Sequence, residues 1–142
     1  MYELGIDELG EVFYTMKYVN GTTLDQVLRR IREGDEQAIK KYPLATLLTA
    51  FQKICDGVAY AHSMGVVHRD LKPDNVMIDD GVVVLTDFGV ASTAGDGDRT
   101  VVGTPAYTAP ELLRGEAVDG RADVYAAAVV AYELIAGTAP FA

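Results

Sequence analysis

One cysteine, Cys55, stands in a chain of 142 residues. It rules out an internal disulfide and points to a reducing, cytoplasmic setting. Neighbours at helical spacing make Cys55 a structural thiol of a helix and not a nucleophile. Basic residues are also scarce. Twelve Lys and Arg face 21 Asp and Glu, a net charge of −9. Nucleic acid and anionic membranes attract basic patches, so neither is an expected partner. No apolar run is long enough to span a bilayer, which takes about 20 residues. The most apolar stretch, 124–136, is interrupted by Tyr125, Tyr132 and Glu133. The start, "YELGIDELGE", is acidic and has no targeting character. Internal repeats and low-complexity tracts are missing as well. With 49% hydrophobic and 23% charged residues, the chain has what a single packed domain requires.

The pattern reads in order. "YELGI" and "VFYTMKYV" predict two strands around a turn at Gly10. "NGTTLDQVLRRIREG" predicts a helix with a Thr23–Gln26 capping box, an apolar stripe of Leu24, Val27, Leu28 and Ile31, and a stop at Gly34. The acidic "EGDE" at 33–36 reads as its solvated end. A longer helix is predicted from about Pro43 to Met64, with Leu44, Leu47, Leu48, Phe51, Ile54, Cys55 and Val58 on its inner face. His62 carries no functional claim there. Val76–Ile78 and Val82–Thr86 flank Asp80-Gly81, a strong hairpin signal. Residues 89–110 read as one long irregular loop. A last helix, about Arg121 to Ala136, is apolar nearly all round and is expected to be buried on most sides.

"VVHRDLKPDN" at 66–75 crowds His, Arg, Lys, two Asp and an Asn into the loop before the hairpin. Asp70 and Asn75 lie at one end of that hairpin and Asp87 at the other. Folding the hairpin brings the three together. Two carboxylates and an amide are hard oxygen donors of the kind Mg²⁺ takes, with substrate phosphates completing its shell. Adding Lys72 gives a set suited to phosphoryl transfer, in which catalysis is mostly positioning and charge neutralisation.

These motifs resemble the catalytic domain of serine/threonine protein kinases of the eukaryotic type, in a bacterial-like style. "HRDLKPDN" at 68–75, "DFG" at 87–89 and "APE" at 109–111 occur in that family's order. "GTPAYTAPE" at 103–111 and Lys72 are similar to the serine/threonine branch, and "DGRADVYAAAVVAYELIAGTAPF" resembles its following helix. The resemblance implies an α+β protein-kinase-like fold, with 1–19 as the end of the small lobe and the hinge, and 20–142 as the large lobe up to the central buried helix. It implies transfer of the ATP gamma-phosphate to a protein Ser/Thr hydroxyl, with ATP and Mg²⁺ as cofactors. Asp70 would be the catalytic base, Lys72 would steady the phosphoryl group, and Thr104 would bridge toward both. Asn75 and Asp87 would hold the metal. Met16, Tyr18, Leu24 and Met77 would surround adenine, with Lys17 and Val19 completing the hinge and with Val130 and Leu134 below. His68 would pack on Phe88, Asp123 would anchor the catalytic loop, and Arg69 would meet a phosphate at Thr100.

Some family elements are not in these 142 residues. No G-x-G-x-x-G loop and no V-A-I-K-type lysine with its glutamate partner occurs. The chain is expected to be an interior piece of a kinase, beginning near the fourth small-lobe strand. Glu111 is expected to be a buried orphan, its usual arginine partner lying beyond the end. Lys17 and Thr108 depart from the common pattern. An exposed apolar surface is expected to drive self-association. The alternative reading is a truncated, inactive kinase acting as a binding or regulatory module.

Overall fold

The computed structural model describes residues 3–6, 12–15, 18–88 and 105–141. Strands β1 (Glu3–Ile6) and β2 (Val12–Thr15) pair antiparallel, from Glu3 opposite Thr15 to Ile6 opposite Val12. The turn expected between them lies outside the described residues. A second sheet has the order β3-β4-β5, from Thr22–Thr23, Val76–Asp79 and Val82–Leu85. The helices are α1 (Leu24–Arg32), α2 (Glu36–Lys41), α3 (Leu44–Ser63), α4 (Pro110–Leu113) and α5 (Arg121–Ala136).

Local chemistry sets these boundaries. The Thr23 hydroxyl accepts from the Gln26 amide at 3.1 Å and the Gln26 side chain accepts from the Thr23 amide at 3.1 Å. Both otherwise unpaired donors at the start of α1 are thereby satisfied. The same Thr23 lies opposite Met77 in the sheet, so the cap also fixes where the chain passes from β3 into α1. Gly21 has φ +137°, and a Cβ there would meet the Ile78 carbonyl at 3.0 Å. Only glycine allows that approach. In the β4–β5 turn Asp80 and Gly81 both have positive φ, as a two-residue hairpin requires.

The acidic 33–36 segment is the exposed end of α1, as expected, but it also begins a further helix. Asp35 caps a separate short helix, accepting from the Gln37 and Ala38 amides at 2.9 and 3.2 Å. Arg30 and those amides hold its carboxyl below the usual carboxylate range. The sequence signals were present: an N-cap Asp, Glu36 in the first turn, and Lys40 and Lys41 in the last.

One core joins the elements. Leu24, Val27 and Leu28 of α1, Leu47, Ile54 and Val58 of α3, Val76 and Ile78 of β4, and Ala126, Val130 and Leu134 of α5 pack into a single cluster. α3 packs against both β5 and α5. Two expectations need correction. Leu44 and Leu48 are exposed, because the inner face of α3 is narrower than its apolar composition. α5 is covered on one side only: Val129, Val130 and Leu134 are buried, while Val124, Tyr132 and Ile135 are more than half exposed (63%, 51% and 66%). Cys55 is half-buried, and burial raises its thiol pKa, which disfavours the reactive thiolate.

This packing makes a contrast of two α3 residues informative. Ile54→Ala is expected to cost about 2–5 kcal/mol, because it leaves a cavity at a fully buried position. Leu48→Ala, at an exposed position, is expected to change stability by less than about 0.5 kcal/mol. Urea denaturation of both variants checks the pair.

Candidate active site

The site is built from the turn between α3 and β4, and it starts with a buried charge. Asp123, in the first turn of α5, is 1% exposed. One carboxylate oxygen accepts from the His68 amide and the other from the Arg69 amide, each at 2.8 Å. The first also meets His62 Nε2 at 2.7 Å. One side chain thus ties α5 to the end of α3 and to the loop between α3 and β4. Sequence reading assigned Asp123 this place through resemblance, but it missed His62. A histidine near the end of an amphipathic helix carries no signal of its partner 61 residues away.

His68 is fully buried. Its Nε2 lies 2.9 Å from the Thr86 carbonyl, and the Asp70 amide donates to its Nδ1 at 3.3 Å. An accepting Nδ1 beside a carbonyl-facing Nε2 specifies the neutral Nε2–H tautomer. Burial pushes its pKa below the usual imidazole value, against the opposing pull of Asp123 and of the Thr86 carbonyl. The ring packs on Phe88 with centroids 4.3 Å apart, so the expected pairing is present.

Arg69 follows with φ +68°, a left-handed conformation that costs energy in a non-glycine residue. The two Asp123 bonds flank this reversal and hold it. Asp70 comes next, about a third exposed at its side chain, with Lys72 Nζ 3.3 Å from its Oδ2. Asn75 Nδ2 donates to that same oxygen at 3.0 Å and to the Asp70 carbonyl at 2.8 Å. Pro73–Asn75 forms a short 3-10 turn, closed by the Asn75 amide on the Lys72 carbonyl at 3.0 Å. Proline at its first position suits a turn that needs no donor there. Asp70, Lys72 and Asn75 therefore form one connected group.

Asp87 joins it through Thr86. The Thr86 amide and hydroxyl both donate to the Asn75 carbonyl, at 2.9 and 3.2 Å. That hydroxyl also lies 3.4 Å from Asp87 Oδ2, and Asp87 has φ +59°. The hairpin brings its two ends together as expected, with Val76 opposite Leu85. Asn75 commits its NH₂ to Asp70, which leaves Oδ1 as its remaining acceptor. That oxygen and the Asp87 carboxylate suit a hard cation. Among the described residues no group of three or more His, Cys, Asp or Glu gathers into a metal site. Two oxygen donors fit a metal that takes its other ligands from water and a bound phosphate.

Other expected site residues fall into two sets. Met16, Lys17, Thr100 and Thr104 lie outside the described residues. Tyr18 is 84% exposed, Met77 is half-buried, and Leu24 is enclosed in the core next to the Thr23–Met77 pair. One part of the Glu111 expectation is corrected: the residue is partly exposed and not buried. A buried acid exists elsewhere. Glu133 of α5 is 4% exposed, accepts from Arg32 at 2.9 Å and takes the Tyr107 hydroxyl. Burial, then Glu133, raises the Tyr107 pKa. A lone Glu inside an apolar helix was the available signal, and the sequence reading used it only as a break in that helix.

The depressed pKa of His68 has a pH consequence. The unfolded chain takes up this proton at higher pH than the folded one, so His68 contributes stability above about pH 6.5 that is lost as pH falls further. His68→Phe should unfold in urea with a shallower loss of stability between about pH 6.5 and 5 than the unmodified chain. Equal slopes would contradict a neutral, buried His68.

Comparison with known proteins fits this geometry. The sequence pattern of the protein kinase domain matches residues 6–142. The chain is 38% identical to Arabidopsis thaliana CBL-interacting serine/threonine-protein kinase 16, over 92% of this chain and 29% of that protein. It is also 38% identical to the probable serine/threonine-protein kinase PknB of Bifidobacterium longum, over 91% of this chain and 19% of that protein. The crystallised kinase domain of Mycobacterium tuberculosis PknI superposes with a TM-score of 0.71 at 32% identity, covering 99% of this chain and 49% of that one. The chain thus spans less than a third of these curated relatives and about half of the solved domain. With that match over nearly all its residues and the α+β kinase-like fold to carry it, the chain belongs to the protein kinase domain family.

Proposed function

We propose that the chain carries the phosphoryl-transfer residues of a serine/threonine protein kinase that moves the ATP gamma-phosphate to a Ser or Thr hydroxyl of a protein. Residues 1–19 are then the end of the small lobe and the hinge, and 20–142 the large lobe up to α5. The observation that carries this reading is the connected group of Asp70, Lys72 and Asn75, held on a loop whose backbone is fixed by Asp123. A solvated loop has no reason to store a left-handed Arg69 and a buried carboxylate.

The chemistry follows from the side chains. Asp70 accepts the proton of the acceptor hydroxyl as its oxygen bonds to the gamma-phosphorus and the bond to the beta-phosphate oxygen breaks, releasing ADP. Asn75 orients the Asp70 carboxylate by its 3.0 Å bond. Lys72, 3.3 Å from the same oxygen, keeps positive charge beside the phosphoryl group in flight. Asn75 Oδ1 and Asp87 would hold Mg²⁺, which would neutralise phosphate charge when bound. By resemblance, Thr104 would bridge toward Asp70 and Lys72. Adenine would lie against Tyr18 and Met77, with the buried Leu24 supporting Met77 from the core and Met16 assigned to the same pocket by resemblance. The exposed Val124, Tyr132 and Ile135 support self-association.

A second reading is a kinase-derived binding module without transfer activity. One assay separates the two. Labelled phosphate transfer from Mg-ATP to a generic protein acceptor is expected from the folded chain. Asp70→Asn, close in shape but unable to take the proton, should lower it about 10²–10⁴-fold. No transfer from a chain that is folded by circular dichroism would favour the binding module.

A further inference from the structure

Thr86 touches both residues read as metal donors, Asn75 and Asp87, and its side chain breaks a pattern. Val82–Leu85 before it is an unbroken apolar strand. A valine at 86 would continue that strand with the same shape and branching. Threonine instead puts a hydroxyl at a half-buried position, where a polar group is costly unless it is bonded.

The main chain of Thr86 is held without that hydroxyl. Its amide donates to the Asn75 carbonyl at 2.9 Å, and its carbonyl faces His68 Nε2 at 2.9 Å. The hydroxyl is therefore free to act on the two donor residues. It lies 3.2 Å from the Asn75 carbonyl oxygen and 3.4 Å from Asp87 Oδ2. Both distances are long for a hydroxyl donor, as befits one proton shared between two acceptors. That proton links the main chain of one donor residue to the carboxylate of the other.

Asp87 has the greater need of such a link. Asn75 is already fixed, because its NH₂ donates to the Asp70 carbonyl and to Asp70 Oδ2. Asp87 has left the strand in a left-handed conformation, with φ +59°, and is only half-buried. A side chain in that setting has several staggered rotamers open to it. A carboxylate that ligates a metal is commonly hydrogen-bonded from a second residue, and losing that partner weakens metal binding roughly 10–100-fold.

We propose that the Thr86 hydroxyl is a positioning group for a divalent cation: it holds the Asp87 carboxylate in one rotamer, on the side of Asn75, before the ion arrives. The proposal rests on the reading of Asn75 and Asp87 as the metal pair.

The test compares the whole chain with Thr86→Val, which removes the hydroxyl and keeps the shape, and Thr86→Ser, which keeps the hydroxyl. The probe is Mn²⁺ alone, a paramagnetic stand-in for Mg²⁺. It is titrated while the NMR signals of the Asn75 side-chain NH₂ and the Asp87 amide are followed. Saturable broadening of both is expected in the parent. Thr86→Val should need about tenfold more Mn²⁺, and Thr86→Ser should stay within about threefold of the parent. A second readout requires no metal. The Hα–Hβ couplings of Asp87 should report one rotamer in the parent and in Thr86→Ser, and an average in Thr86→Val. Thermal melts establish that all three chains are folded. A merely structural role would move the melting temperature and leave the affinity and the couplings alone. Equal Mn²⁺ affinity in Thr86→Val and the parent, or an Asp87 rotamer unchanged by Thr86→Val, overturns the proposal and leaves the transfer reading intact. No saturable broadening at Asn75 and Asp87 in the folded parent overturns the metal pair itself, and this proposal with it.

Discussion

The buried carboxylate of Asp123 is the constraint on which the site depends. Removing a carboxylate from water costs several kcal/mol unless its lone pairs are satisfied. Here two backbone amides and a histidine ring satisfy them. Hydrogen bonds to a charged group contribute about 1.5–3 kcal/mol each, roughly twice a neutral bond. The bonds are therefore strong enough to set backbone geometry and to hold Arg69 in a conformation it would otherwise leave. α3 and α5 pack through apolar side chains, and Asp123 converts that packing into a fixed path for residues 68–70.

The constraint passes on through hydrogen bonds of defined direction. His68 is held by its amide on Asp123, and its ring spans the Asp70 amide and the Thr86 carbonyl. Thr86 in turn donates twice to the Asn75 carbonyl, and Asn75 donates back to Asp70. Each polar group placed in the interior is answered; among the described residues no buried side-chain nitrogen or oxygen lacks a partner. Asp70 and Asp87, at opposite ends of the β4–β5 hairpin, reach one place because strand pairing and this relay agree.

Local features were readable in the sequence because they depend on near neighbours. The Thr23 capping box, the Asp80-Gly81 turn and the limits of α5 follow from residues within a few positions. The cluster of Asp70, Lys72 and Asn75 was readable for the same reason. What was lost depends on distance along the chain. His62 has a role only because Gly120 and Asp123 come to it: a Cβ on Gly120 would lie 2.8 Å from the His62 ring. Arg32, Tyr107 and Glu133 meet from three separate elements. The exposed side of α5 was misjudged because its apolar composition states a capacity for burial and not its extent. The short α2 was passed over because acidic residues were read as solvation, when Asp35 was a cap.

If Asp123 fixes the loop, the amides of His68 and Arg69 should be among the slowest in the chain to exchange with deuterium, although both lie outside any helix or strand. Residue-resolved hydrogen exchange measures this directly. The account predicts protection close to that of the α5 interior at Val130, and its loss at one of the two amides in Asp123→Asn, where an NH₂ takes the place of one accepting oxygen. Exchange of His68 and Arg69 within about tenfold of the unprotected rate in the native chain would contradict it.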